Sequence, residues 1–211
     1  MDRMVLNSRT FGGRQLMHGK ARKFRWMALI ATLLVGGIFT VAASAEDLGP
    51  PSGSVAPDIG TRLDQNGKPR TFADLIGQNG LILTFFRSAD WCPFCQAQLI
   101  DLNGGLTEVE KRGYHIAALS YDSPEILQAF TVKRRIAYTF LSDPKSEVID
   151  LYKLRDPQYP PGSRAYGVPR PITFILNHDR VIKSKLYEES YRVRPPVTAI
   201  ISKLDELAEG N

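Results

Sequence analysis

Residues Leu81–Cys95 read LILTFFRSADWCPFC. Leu81–Phe86 is an unbroken apolar run between Gly80 and Arg87. A strand covered on both faces has this composition. Six residues later begin Cys92, Cys95, Leu99, Leu102, Leu106 and Val109, which follow helical spacing and form one stripe. Pro93 suits the first turn of that helix. The stretch therefore predicts a buried strand, a short turn and a helix that begins at a cysteine pair.

The flanking sequence repeats the alternation. Asn66-Gly67 lies between Thr61–Asp64 and Arg70–Phe72 and predicts a hairpin. Asn103-Gly104-Gly105 weakens the middle of the helix that starts at Cys92 and ends near Arg112. Tyr114–Ser120 reads as a strand. Ser123-Pro124 opens a helix to about Arg134. Thr139–Leu141 is a short strand and Ser146–Leu151 a short helix. Ile172–Leu176 and Val181–Tyr187 are strands, and Pro196–Glu209 closes the chain as a helix. This order predicts an α/β sandwich, a central mixed sheet flanked by helices, with an N-terminal β-hairpin extension. Tyr152–Arg170 fits no element. It is 19 residues rich in Pro, Tyr and Arg, and long loops in small domains are usually functional.

The 211 residues carry a formal net charge of +5. Residues 1–45 hold +6 of it, and the rest of the chain is −1. The basic balance is thus no sign of a nucleic-acid partner. Basic residues up to Arg25 are followed by the apolar run Trp26–Val41 and by Ala43-Ser44-Ala45. Residues 1–45 read as a signal peptide or an N-terminal membrane anchor. Residues 46–54 read as a linker and 55–211 as the domain. The expected location is periplasmic, or anchored to the inner membrane facing the periplasm. Contact with a membrane is expected only through an uncleaved N-terminal segment.

Cys92 and Cys95 are the two cysteines of the chain, and four readings of them compete. As a structural staple they close so short a loop that chain entropy gives only about 2 kcal/mol, against roughly 4–5 kcal/mol for a hundred-residue loop. As metal ligands they are half of a zinc site without a second half. Gln96 stands where a haem attachment needs histidine. No metal is expected. The third reading is a redox dithiol, and the fourth a binding module that keeps the pair without turnover. The dithiol is favoured by chemistry. Unpaired N–H groups and the dipole at a helix N-terminus favour a thiolate at Cys92. Cys95, one turn further in, is expected to be deeper. Cys92 then attacks and Cys95 resolves.

With these residues in view the chain resembles the thioredoxin-like superfamily. More narrowly it resembles the redoxin branch that holds alkyl hydroperoxide reductase and thiol-specific antioxidant proteins. The resemblance spans about Val55 to Leu207. It rests on Ala56-Pro57-Asp58, Asp64–Lys68, Leu83–Cys95 and Pro171–Ile175. It implies a thioredoxin-like fold and a substrate-facing proline at Pro171. Trp91, Pro93, Phe94 and Arg170 are the further candidates for positioning substrate. Where typical peroxiredoxins place Pro and Thr or Ser before the peroxidatic cysteine, this chain has Phe85 and Ala89. Pro171 stands where they have Arg, and Phe86 where thioredoxin has a buried Asp. Arg87 and Arg170 are candidate substitutes.

The main expectation is an exported thiol–disulfide oxidoreductase. Its redox centre is the Cys92–Cys95 disulfide, without other cofactor. Its partners are protein or small-molecule disulfides and thiols, with a thiol protein as electron donor or acceptor. The alternative is a peroxiredoxin-like thiol peroxidase with Cys92 peroxidatic and Cys95 resolving. The loop 152–170 either borders the cysteines and helps choose the partner or is a plain surface insertion.

Overall fold

Leu81, Leu83 and Phe85 point to one face of a sheet, and Ile82 and Phe86 to the other, all fully buried. This is the two-residue period of a strand with both faces covered. The computed structural model describes residues 47–210, and residues 1–45, the expected signal or anchor, lie outside them. In chain order the elements are β1 (Arg62–Asp64), β2 (Pro69–Arg70), α1 (Phe72–Leu75), β3 (Gly80–Phe85), α2 (Pro93–Gly104), α3 (Leu106–Lys111) and β4 (Tyr114–Ser120). They continue with α4 (Pro124–Arg134), β5 (Thr139–Ser142), α5 (Glu147–Leu151), β6 (Ile172–Asn177), β7 (Ile182–Leu186) and α6 (Val197–Glu209). One seven-stranded mixed sheet has the order β2-β1-β5-β4-β3-β6-β7. β3, β4 and β5 are parallel, and β6 runs antiparallel beside β3.

One core holds Leu81, Leu83, Phe85, Leu119, Phe174 and Tyr152. The other holds Ile82, Phe86, Phe140, Leu99, Leu102 and Ile200 together with both cysteines. The cysteine pair therefore belongs to the face covered by α2 and α6. α6 is tied to α2 where the Val197 N–H donates to Asp101 Oδ2 at 2.6 Å.

Several expected boundaries shift for local reasons. The second hairpin strand is Pro69–Arg70, not Arg70–Phe72, because Thr71 caps α1 instead. The Thr71 N–H and hydroxyl both donate to Asp74 Oδ2, at 2.7 and 2.6 Å. The stretch from Cys92 to Arg112 is two helices that break at Gly105, within its weak Asn103-Gly104-Gly105 middle, and Val197 packs against that glycine.

Residues 47–54, expected as a linker, are held on the domain. Leu48 is buried in the core, and Gly53 N–H donates to Ile182 O at 2.8 Å. Paired backbone and a buried leucine override the linker-like composition. Among the described residues no helix is long and apolar enough to cross a membrane.

Gly80 starts β3 with φ +150, and a Cβ there would lie 1.9 Å from Leu176 O. Close backbone approach is what requires glycine. Gly80→Ala is expected to destabilise the fold by about 2 kcal/mol or more. Urea unfolding would check this, and an unchanged midpoint would contradict it.

Candidate active site

β3 ends at Phe85, and the chain needs seven residues to turn into α2. That turn is built on a buried carboxylate. Asp122 follows β4 and accepts from Ser88 Oγ at 2.8 Å, Ala89 N at 2.7 Å and Ser120 Oγ at 2.9 Å. Ser88 Oγ in turn accepts the Asp90 N–H at 3.0 Å. Gln96 reaches back from α2 and donates to the carbonyls of Ala89 and Asp90, at 2.8 and 3.0 Å. Burial raises the Asp122 pKa, and the hydrogen bonds from Ala89, Ser88 and Ser120 oppose that rise.

This scaffold delivers Cys92 to the N-cap of α2, with Pro93 in the first turn. Cys92 and Cys95 are joined as a disulfide with Cα atoms 5.3 Å apart. The Cys95 N–H donates to Cys92 Sγ at 3.3 Å. That is one of the orphan donors that would face a thiolate at Cys92. Cys95 is the deeper of the two, at 0% exposure, but Cys92 is close behind at 2%.

The candidate positioning residues divide. Trp91 lies beside the pair and donates through Nε1 to Tyr121 Oη at 2.9 Å. Phe94 is 38% exposed on the outer face of α2, with its edge toward the Tyr191 ring at 6.2 Å. Pro93 is exposed beside it. Pro171 directly precedes β6, at the end where Ile172 pairs with Phe85. Arg170 and Pro171 line a cavity of about 270 Å³ shared with Tyr187 and Tyr191. The structure thus gathers Trp91, Pro93 and Phe94 at the disulfide and sets Arg170 and Pro171 on a neighbouring cavity.

Arg87 is buried, at 2% exposure. Its guanidinium lies 5.2, 4.9 and 4.4 Å from the ring centres of Trp91, Tyr159 and Tyr191. Arg87 Nη2 also donates to Tyr159 Oη. Three rings on one desolvated cation form a rigid wall. Tyr159 brings the loop 152–170 to Arg87 at this wall. The loop is anchored by Tyr152, Leu154 and Val168, all fully buried.

Three residues of the site were not singled out from sequence. Asp122 had one signal, an acid at the C-terminal end of the strand beside β3, where α/β sheets concentrate function. Tyr191 and Arg194 lie between β7 and α6, in a segment that looked like connection. Arg194 Nη2 is 3.6 Å from Cys95 Sγ. Phe85 and Ala89, at the positions that are polar or proline in typical peroxiredoxins, are buried and apolar.

Comparison with known proteins agrees with this architecture. Over 132 residues the chain is 28% identical to peroxiredoxin Bcp of Escherichia coli, covering 63% of this chain and 82% of that one. Over 152 residues it is 28% identical to a putative peroxiredoxin of Mycobacterium tuberculosis, covering 72% and 90%. Among solved structures, peroxidoxin BcpB of Mycobacterium tuberculosis has the same fold, with a TM-score of 0.64 at 20% identity, covering 76% of this chain and 98% of that one. The family model described as AhpC/TSA matches residues 52–185, from the segment docked on β7 through the cysteine pair to the end of the sheet, and the chain belongs to that family.

Proposed function

We propose that this protein is a thiol peroxidase that reduces a hydroperoxide with the Cys92–Cys95 pair. Its family and its fold make it a thiol-dependent oxidoreductase, and its peroxiredoxin relatives favour the peroxidase alternative over disulfide exchange with a protein substrate. The observation that carries the reading is a closed Cys92–Cys95 disulfide at the N-cap of α2, within an AhpC/TSA domain.

In the first step the Cys92 thiolate attacks one peroxide oxygen. The O–O bond breaks, a sulfenic acid forms, and the alcohol or water leaves with a proton. In the second step the Cys95 sulfur attacks the Cys92 sulfenic sulfur. The S–O bond breaks, water leaves and the disulfide closes. An external dithiol, such as a thioredoxin-like protein, returns the two electrons. The basic and then apolar sequence before Ala45 supports placing this activity outside the cytoplasm.

Cys95→Ser removes the second step. Peroxide followed by a dimedone-type probe is expected to label Cys92 in that variant, as read by mass spectrometry. Labelling confined to Cys95 in the Cys92→Ser variant would reverse the two roles and overturn this assignment.

A further inference from the structure

The wall of the site holds two guanidiniums and no carboxylate to balance them. Neither Arg87 nor Arg194 has an ion-pair partner among the described residues, and the Nε of each is buried without an acceptor. Arg194 Nη1 donates to the carbonyls of Tyr191 and Val193, the latter at 2.8 Å. Its Nη2 is turned inward onto Cys95 Sγ. Burial, and then the like charge of Arg87, lower the Arg194 pKa to about 10. In the disulfide state this is a poor place for a cation. Its nearest sulfur is neutral.

We propose that Arg194 is a catalytic residue that holds Cys95 as a thiolate whenever the disulfide opens. Among the described residues the fully buried Cys95 sulfur has no other cationic side chain in contact with it. As a free thiolate it would pay for its desolvation alone. Beside Arg194 the opening reaction removes the imbalance on both sides at once.

A thiolate of the reducing dithiol attacks Cys92 Sγ and forms a mixed disulfide. The Cys92–Cys95 bond breaks, and its electron pair stays on Cys95 Sγ against the Arg194 guanidinium. A leaving thiol that departs more readily as the anion speeds this exchange. In the oxidative half-cycle the same anion is the nucleophile that attacks the Cys92 sulfenic sulfur.

The fold explains why this arginine reaches the site. The bond from Val197 to Asp101 fixes the start of α6 on α2, and Pro195-Pro196 stiffen the approach. Residues 191–194 are thereby laid across the first turn of α2. Tyr191 covers Arg87 on one side and Phe94 on the other. Arg194 stands apart in chain position from the arginine that typical peroxiredoxins carry where this chain has Pro171.

The inference rests on the dithiol reading, and its test uses no peroxide. Cys92→Ser leaves Cys95 as the one thiol. Its thiolate absorbance would be titrated in that background with Arg194, with Arg194→Gln and with Arg194→Lys. The other charged or titratable groups around the site are Asp90, Asp122, Arg87, Tyr191, Arg192 and Asp101. They are the same in all three proteins, so the comparison isolates Arg194.

The Arg194→Gln midpoint is expected at least about one pH unit higher, with most of the shift restored by Arg194→Lys. In the otherwise unchanged protein, Arg194→Gln is expected to shift the pair toward disulfide by about tenfold in a dithiol redox buffer. Coincident titration curves in folded proteins would overturn the proposal. A shifted midpoint, together with an unsubstituted pre-reduced protein that reacts with hydrogen peroxide no faster than a free thiol, would leave Arg194 assigned and sink the peroxidase reading instead.

Discussion

Cys92→Ser is expected to lower steady-state peroxide consumption, driven by an external dithiol, by roughly 10³-fold or more. The reason is chemical. A serine hydroxyl at the N-cap of α2 keeps the shape of the site but is no nucleophile toward an O–O bond at neutral pH. The replaced atom sits in a corner held by the hydrogen bonds from the Asp90 N–H to Ser88 Oγ and from Gln96 to the carbonyls of Ala89 and Asp90, so the fold is expected to survive. Cys95→Ser should behave differently. It keeps a first, stoichiometric reaction with peroxide and loses recycling through the intramolecular disulfide. Measuring both variants for single-turnover and steady-state peroxide loss separates attack from resolution. Full single-turnover reactivity in Cys92→Ser would contradict the assignment.

Asp122→Ala is expected to cost about 3 kcal/mol of folding stability, read as a drop in Tm of roughly 6–12 °C. The carboxylate accepts from Ser88, Ala89 and Ser120. Truncation leaves these three buried donors without an acceptor and opens a void under the turn that aims Cys92. Stability should respond to pH as well. Burial raises the Asp122 pKa above its unfolded value, so the native state binds this proton more tightly than the unfolded chain. The resulting stability is fully present below the ordinary aspartate range and is lost as pH rises through the raised value. Asp122→Ala should flatten that slope. An unchanged Tm, or an unchanged slope, would show that the carboxylate does not organise the turn.

The elements that could be read in advance are those whose signal is local. Leu81–Phe86 announced β3 because both faces of that strand are covered. Pro93 and Pro124 announced helix starts because a fixed φ and a missing N–H suit those positions. The Cys92–Cys95 pair was legible for the same reason. Its meaning lies in spacing and in the strand before it.

What escaped depends on contacts distant in sequence. Thr71 and Phe72 have strand-like composition, but Asp74 captures Thr71 and begins a helix. Leu48 sits in a stretch with linker composition, and only the finished sheet edge gives it a place to be buried. Asp122 and Arg194 meet the cysteine segment through contacts 33 and 99 residues apart in sequence. No periodicity spans such a gap. Arg87 was visible as a charge near the site, but its burial among three rings was not, because Tyr159 and Tyr191 arrive from two separate connecting segments.

Stopped-flow mixing of the pre-reduced protein with hydrogen peroxide shows whether the Cys92–Cys95 pair reduces peroxide and closes as a disulfide. The emission of Trp91, adjoining Cys92, reports the reaction, and free thiols are counted at its end. A peroxidatic Cys92 gives a fast change in emission, at a rate far above that of free cysteine, with two thiols lost per peroxide consumed. A rate no faster than that of a free thiol, or thiols that survive peroxide and are lost only to disulfide reagents, would contradict it.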